Sequence, residues 1–195
     1  MRLWTIQPVE VWTKLVSDKV FHCDPEKSVL ISDADATLSF KEPYDWIVRK
    51  MRQRIGEEPE GVKYPIWALH TRNWEHKKPD LRCCGYNEPG TKCVCIEFEI
   101  DDNKVLLSDF DGWHFVLSNG YYDQSGSEDE AERLDKWLDS LPKTIRQKEI
   151  LKSWEKIFAI TPLKSDWCPV GQYIQATFWE LRIEQVTKTQ FFKAR

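Results

Sequence analysis

No run of apolar residues in the 195-residue sequence approaches the roughly 20 that a membrane-spanning helix needs. The N-terminus has no charged segment followed by an apolar one, so we expect no secretory signal peptide and a cytoplasmic location. The sequence also lacks a glycine-rich phosphate loop, a Gly-x-Ser-x-Gly motif and a His-Glu-x-x-His motif. These absences predict no membrane partner and remove the usual signatures of nucleotide hydrolases, serine hydrolases and zinc proteases.

The net charge of −4 argues against bulk electrostatic binding to nucleic acid or to anionic lipid. Apolar residues make up 41% of the chain and aromatic residues 13%, including ten tryptophans. So many large side chains can repay the entropy cost of ordering a chain. The length suits one domain with a substantial core, and we predict a single domain over residues 1–195.

Four of the six cysteines lie close together, as Cys83-Cys84 and Cys93-x-Cys95. Zinc sites usually carry two cysteines separated by two to four residues, because that spacing lets one turn wrap the ion. Adjacent cysteines and a Cys-x-Cys pair within a predicted strand give poorer geometry. Since nothing marks secretion, we predict reduced thiols and no bound metal.

Hydrophobic periodicity and turn residues predict the secondary structure. Strands are predicted over 2–6, 28–32, 65–70, 93–100, 104–107, 173–181 and 186–192, and helices over 9–19, 44–55, 132–141 and 144–158, with a short helix ending at Asn119-Gly120. The turn at 101–103 predicts that its two flanking strands form a hairpin. We also expect the first strand and residues 174–180 to share one sheet. This mixed order predicts an α+β class, with a mixed, largely antiparallel sheet flanked by helices.

Tryptophans beside polar residues are the most unusual chemical feature of the sequence. Tryptophan offers a flat stacking surface and one hydrogen-bond donor, which suits a nucleobase or a nicotinamide. For any single tryptophan, filling the core is the alternative. The candidate ligand-binding residues are Arg2, Trp4, Trp67, His70, Trp113, Gln175, Thr177 and Trp179.

The strand over 174–180 alternates between two kinds of side chain. Its apolar residues, with Phe178 the largest, should meet the core, since successive side chains point to opposite faces. Gln175, Thr177 and Trp179 share the other face. That face is either the wall of a ligand pocket or a sheet surface covered by a helix.

Two further groups have alternative roles. Asp109 and Asp111 are either paired carboxylates that hold a cation, or a helix cap and a first-turn acid. His114 is either a general base, because its intrinsic pKa is near neutrality, or a structural histidine bonded to the backbone.

Residues 72–82 interleave basic residues with an aromatic one, around Trp74. Such a segment can follow a phosphate backbone and stack a base. The alternative is a solvated loop between two strands, because runs of charge usually face water.

A set of tryptophan-rich motifs, in order, resembles a bacterial family catalogued as DUF3841. The motifs are RLWTIQPVEVWTKL, YPIWA, KPDLR, VLLSDFDGWHFVLSN, KSWEKIF, IQATFWEL and a final FKAR. The resemblance spans nearly the whole chain. The family is functionally uncharacterised, so the resemblance implies a family and no activity.

The opening of the chain is also similar, at the level of fold, to ADP-ribosyltransferase-like domains, with a short strand, a helix and then Lys19-Val-Phe. Such domains keep an Arg or His on the first strand and usually a Glu on a late strand, around NAD. The resemblance implies Arg2 or Trp4 for the first position and Gln175 for the second. Because Gln175 lacks the carboxylate, it implies a nucleotide- or NAD-binding pocket with altered or lost chemistry.

Two functions follow as hypotheses, and they leave open whether the protein is an enzyme. The first is the nucleotide or NAD pocket, which a buried cleft joining Arg2, Trp67 and Gln175 would favour. The second is a non-enzymatic module that binds nucleic acid or protein through residues 72–82. An exposed basic and aromatic groove around Trp74 and Arg82 would favour this second hypothesis.

Overall fold

The computed structural model describes residues 1–27, 40–83 and 85–195. The strand predicted over 28–32 and Cys84 lie outside these residues. Within the described ranges the chain forms eight strands and five α-helices. The strands are β1 (Arg2–Pro8), β2 (Val20–Phe21), β3 (Ile66–Arg72), β4 (Lys92–Glu99), β5 (Leu106–Asp109), β6 (Tyr173–Phe178), β7 (Leu181–Arg182) and β8 (Val186–Lys193). The helices are α1 (Val9–Asp18), α2 (Lys41–Ile55), α3 (Phe110–Leu117), α4 (Glu128–Ser140) and α5 (Lys143–Ser153).

The predicted α+β class, with a largely antiparallel sheet and flanking helices, is confirmed. The larger sheet has six strands in the order β5-β6-β3-β1-β4-β8, and β2 and β7 form a small second sheet. The pairings of β1 with β3, β1 with β4 and β4 with β8 are antiparallel. The prediction that the first strand and the late strand share one sheet is also confirmed, since β1 and β6 both belong to the larger sheet.

The predicted hairpin between β4 and β5 is wrong. Strand β4 pairs with β1 along one edge and with β8 along the other, so neither edge is left for β5. A short 3₁₀ helix, Asp102–Lys104, occupies the predicted turn. Strand β5 instead lies beside β6.

The chain divides into two compact units. The sheet unit comprises Met1–His70, Lys77–Leu106 and Ala176–Arg195, and the helical unit comprises Thr71–His76 and Leu107–Gln175. The single domain over 1–195 stays a prediction.

Both faces of β4 contribute to the core of the sheet unit, since Cys93 and Cys95 on one face are as buried as Val94 and Ile96 on the other. Val94, Ile96 and Phe98 alternate along this strand and are fully buried. The Phe98 ring lies 5.1 Å from the ring of Phe178, which is also fully buried. Val94 and Ile96 are β-branched and Phe98 is aromatic, and side chains of these kinds suit a pleated, buried surface.

The core of the helical unit is built around Trp154, which is fully buried just after α5. Its indole Nε1 donates to the carbonyl of Gly120 at 2.9 Å, so its polar atom is satisfied. The Ser153 hydroxyl accepts from the backbone N–H of Tyr122 at 2.9 Å. These two bonds tie the end of α5 to the segment that follows α3.

No helix in the described part of the chain is both long and apolar enough to cross a membrane.

Candidate functional site

A groove with a volume of about 440 Å³ lies in the sheet unit, between residues 81–82 and the end of β8. Its lining consists of Leu81, Arg82, Gln190, Phe192, Lys193, Ala194 and Arg195. Three of these residues are cationic, and one is aromatic. The groove therefore combines positive charge with an apolar surface.

Two contacts hold Lys78 and Tyr86 beside β8. The Lys78 ammonium donates to the side-chain carbonyl of Gln190. The Tyr86 and Phe192 rings meet edge to face, with centroids 6.5 Å apart. At the end of β8, Ala194 donates to the carbonyl of Thr91 and accepts from the N–H of Gly90, each at 2.9 Å. The groove thus has a positioned wall on each side.

Arg82 is a strongly exposed charge of the groove, with 80% of its side chain accessible. Its Nε and Nη2 donate to the two carboxylate oxygens of Asp80, at 2.9 and 2.8 Å. These hydrogen bonds, together with the nearby charge of Asp80, raise the pKa of Arg82 above its ordinary value. Since a guanidinium carries five N–H donors, several remain for an incoming anion.

Like charges also face each other at this end of the sheet. The register places Lys92 of β4 opposite Lys193 of β8, and both residues are exposed. Like charges directly opposite each other destabilise a strand pair. An anion bound near Lys193 would offset that repulsion.

The structure places Arg2 and Trp4, the first-strand candidates, against the carboxylates of β4. Arg2 forms ion pairs with Glu97 at 3.6 Å and Glu99 at 3.3 Å. The Trp4 indole, which is 4% exposed, donates to Glu97 at 3.0 Å. Both side chains therefore have protein partners across the β1–β4 pair.

The other four candidates in the sheet unit lie on strands or directly after one. Thr177 is fully buried and donates to the carbonyl of Leu106 at 3.2 Å. Trp179 donates from Nε1 to the carbonyl of Gly56 at 3.0 Å. Trp67 and His70 are partly buried on β3.

The two candidates in the helical unit are both buried. Gln175 is 4% exposed and donates from Nε2 to the Ser108 hydroxyl at 3.3 Å. Trp113 is also 4% exposed, within α3. Ligand binding by the eight candidate residues stays a prediction, and the hydrogen bonds described for them go to protein atoms.

Asp109 takes the role of helix cap. Its Oδ1 accepts from the N–H of Gly112 at 2.8 Å, at the start of α3, and its Oδ2 accepts from Gly171 at 2.7 Å. Partial burial of its carboxyl group, and then the charge of Asp109, raise the pKa of Asp111. The His114 ring nitrogen Nδ1 lies 2.9 Å from the carbonyl of Phe110, one turn back in α3. Asp109 therefore takes the role of helix cap, and His114 takes the role of a structural histidine bonded to the backbone.

The cysteines that the structure describes are all free thiols. Burial raises the pKa of the Cys95 thiol to about 11, which keeps it protonated at neutral pH. Across the described ranges, no three Cys, His, Asp or Glu side chains are grouped as metal ligands. The absence of a bound metal stays a prediction, and Cys84 lies outside the described residues.

The free energy of unfolding should fall at alkaline pH because of Tyr44, which belongs to an aromatic cluster with Tyr64 and Trp67 in the sheet unit. Tyr44 is 5% exposed, and its ring packs edge to face on Tyr64 and Trp67. Burial, and then the nearby Cys23, raise its pKa to about 12 from 10.0. Because the unfolded chain loses this proton first, the stability that neutral Tyr44 contributes is present below pH 10 and falls between about pH 10 and 12.

The difference between the pKa of 10.0 and the raised pKa of about 12 corresponds to roughly 2–3 kcal/mol in the free energy of unfolding. Urea unfolding of the Tyr44→Phe variant should therefore lose less stability than the parent between these two pH values. Equal losses in the parent and the variant would contradict the assignment.

The family comparison agrees with the sequence motifs. The sequence model of a family described as Domain of unknown function (DUF3841) matches residues 2–187. The chain therefore belongs to the DUF3841 family. No curated protein and no solved structure matches the chain.

Of the basic and aromatic segment 72–82, Leu81 and Arg82 line the groove, and Trp74 is not part of its lining. The sequence patterns did not identify the other wall, which Gln190, Phe192, Lys193 and Arg195 supply. The available signal was the basic and aromatic FKAR ending, which continues a strand of exposed polar residues.

Proposed function

We propose that the protein is a non-enzymatic nucleic-acid-binding module, and that its groove holds backbone phosphates. The observation that carries the proposal is the meeting of Arg82, Lys193 and Arg195 around one depression with Phe192 in its wall. Phosphate contacts from arginine and lysine supply most of the affinity of nucleic-acid binding. With a net charge of −4, binding depends on this local cluster rather than on the whole protein.

Each wall of the groove contributes to phosphate binding in a different way. Arg82 is held by Asp80, so its guanidinium is oriented before a ligand arrives. Lys193 lies opposite Lys92, so a phosphate there would relieve a repulsion already present in the sheet. The proposal therefore predicts that each cation contributes separately to affinity.

The nucleotide or NAD hypothesis rests on Arg2, Trp4 and Gln175. These side chains bond to Glu97, Glu99 and Ser108, so the support for this hypothesis is the resemblance to ADP-ribosyltransferase-like domains. NAD therefore enters the experiment as a second ligand. Stabilisation by NAD in a thermal unfolding assay, without affinity for nucleic acid, would favour the first hypothesis over the proposal.

Charge reversal in the groove should weaken binding and reduce its salt dependence. The groove variants are Arg82→Glu, Lys193→Glu and Arg195→Glu. Lys14→Glu is the matched control, because Lys14 is exposed on α1 and lies outside the groove lining. The parent should bind a fluorescent single strand with a log–log salt slope of roughly −2 if three phosphates are contacted. Each groove variant should reduce the magnitude of that slope by about 0.7, the value for one phosphate contact on a single strand.

The control should keep the slope of the parent, although it changes the net charge by the same amount. A loss of affinity as large in the control as in the groove variants would show that only net charge matters. Unchanged slopes in all three groove variants would place the phosphates elsewhere. Either result would contradict the proposal.

A further inference from the structure

A strained turn in the helical unit presents a tryptophan. The backbone of Arg72 bridges that of Glu75, which leaves Asn73 and Trp74 as the two central residues of a tight turn. Both residues have positive φ, 50° for Asn73 and 67° for Trp74. A turn of this form favours Asn-Gly, and a bulky side chain at positive φ is a genuine outlier.

Neighbouring residues hold the strained turn in place. The Tyr173 hydroxyl donates to the Asn73 side-chain oxygen at 2.7 Å. The Trp74 backbone N–H donates to the carbonyl of Gln172 at 3.1 Å. Strain that its surroundings maintain in this way clusters at ligand-binding sites, so the outlier points to a function.

The chemistry around the indole fits a nucleobase. Trp74 is partly exposed, and the ammonium of Lys164 lies 5.9 Å from its ring centroid. An aromatic ring beside a cation is the pairing by which proteins stack bases and neutralise the adjoining phosphate. Bases inside a duplex are already stacked on each other, whereas those of a single strand have accessible faces.

We infer that Trp74 is the stacking platform for one base of a single-stranded nucleic acid. This inference rests on the proposed function and narrows its partner to a single strand. It assigns base contact to the strained turn of the helical unit. Stacking does not depend on base identity, so the platform carries no sequence preference.

The experiment compares two labelled strands by fluorescence anisotropy. One is a strand of roughly 20 deoxythymidines, which exceeds the common site sizes. The other is an abasic strand with the same number of phosphates. The parent should bind the deoxythymidine strand more tightly, and Trp74→Gly should weaken that binding about 5- to 150-fold, the range given by stacking of one base. Binding of the abasic strand should not change.

Glycine suits a residue at φ 67°, so Trp74→Gly is expected to remain folded, and thermal unfolding checks this. Trp74→Phe should restore part of the preference for bases. Trp167→Ala is the matched control, since Trp167 is an exposed tryptophan of the same unit, and it should bind as the parent does.

The outcomes separate the two proposals. If the parent binds both strands equally, or Trp74→Gly keeps the preference for bases, the stacking inference is overturned while the groove proposal stands. If the parent binds neither strand, the groove proposal fails and the stacking inference fails with it. An equal loss in Trp167→Ala and Trp74→Gly would also overturn the assignment to Trp74.

Discussion

Phe178→Ala is expected to lower the free energy of unfolding by about 3–5 kcal/mol, the range for deleting a buried aromatic side chain. Phe178 is fully buried in β6, and its ring lies 5.1 Å from the ring of Phe98. Truncation removes this contact and leaves a cavity that a packed sheet fills only partly. Urea unfolding at equilibrium measures the change.

Phe191→Ala is the matched control for this prediction. Phe191 is 54% exposed on β8, and its ring meets Trp12 edge to face at 6.5 Å. Its loss should cost no more than about 1.5 kcal/mol, the value of such a pair. Gln175→Ala should cost about 1–3 kcal/mol, because it leaves a buried hydrogen-bond partner unmet. If Gln175→Ala unfolds the protein while Phe178→Ala is tolerated, the packing described for β6 is wrong.

The second large effect is expected from Gly171→Ala, at about 2–5 kcal/mol. Gly171 has a φ of +75°, and a Cβ at this position would lie 2.6 Å from the carbonyl oxygen of Ile160. The left-handed conformation costs roughly 1–2 kcal/mol for an L-residue, and overpacking adds about 1–3 kcal/mol. The N–H of Gly171 also donates to Asp109, so a backbone shift would disturb a buried carboxylate.

Gly61→Ala separates these two causes. Gly61 has a similar φ of +79°, but no heavy atom lies within 4 Å of a Cβ placed there. It should therefore show only the conformational cost. Equal destabilisation of the two variants in urea unfolding would show that the close approach to Ile160 contributes nothing.

The sequence predicted the elements better than their partners. β-Branched and aromatic residues located β1, alternation of apolar residues located β4, and the helix cap was one of the two roles expected for Asp109. The hairpin prediction failed because β4 takes both of its neighbours from distant parts of the chain. Periodicity records which face of a strand is apolar, but it does not record which strand lies beside it.

The same limit applies to the candidate site. Alternation along β6 correctly separated Gln175 and Thr177 from the apolar set, but the side chains on both faces of β6 are buried. The partners of these polar groups, Ser108 and the carbonyl of Leu106, follow from strand order and not from local pattern. The groove likewise joins residues 81–82 with residues 190–195, and no local motif records that two segments so far apart in the sequence meet.

The most direct test of the central proposal is to map where a nucleic acid touches the protein. A single strand carrying photoreactive 5-iodouracil is crosslinked to the parent protein, and the attached peptides are identified by mass spectrometry. The account predicts crosslinks to peptides containing Arg82 and Phe192, with a further crosslink at Trp74. Crosslinks confined to α4 and α5, or spread evenly over the surface, would contradict it.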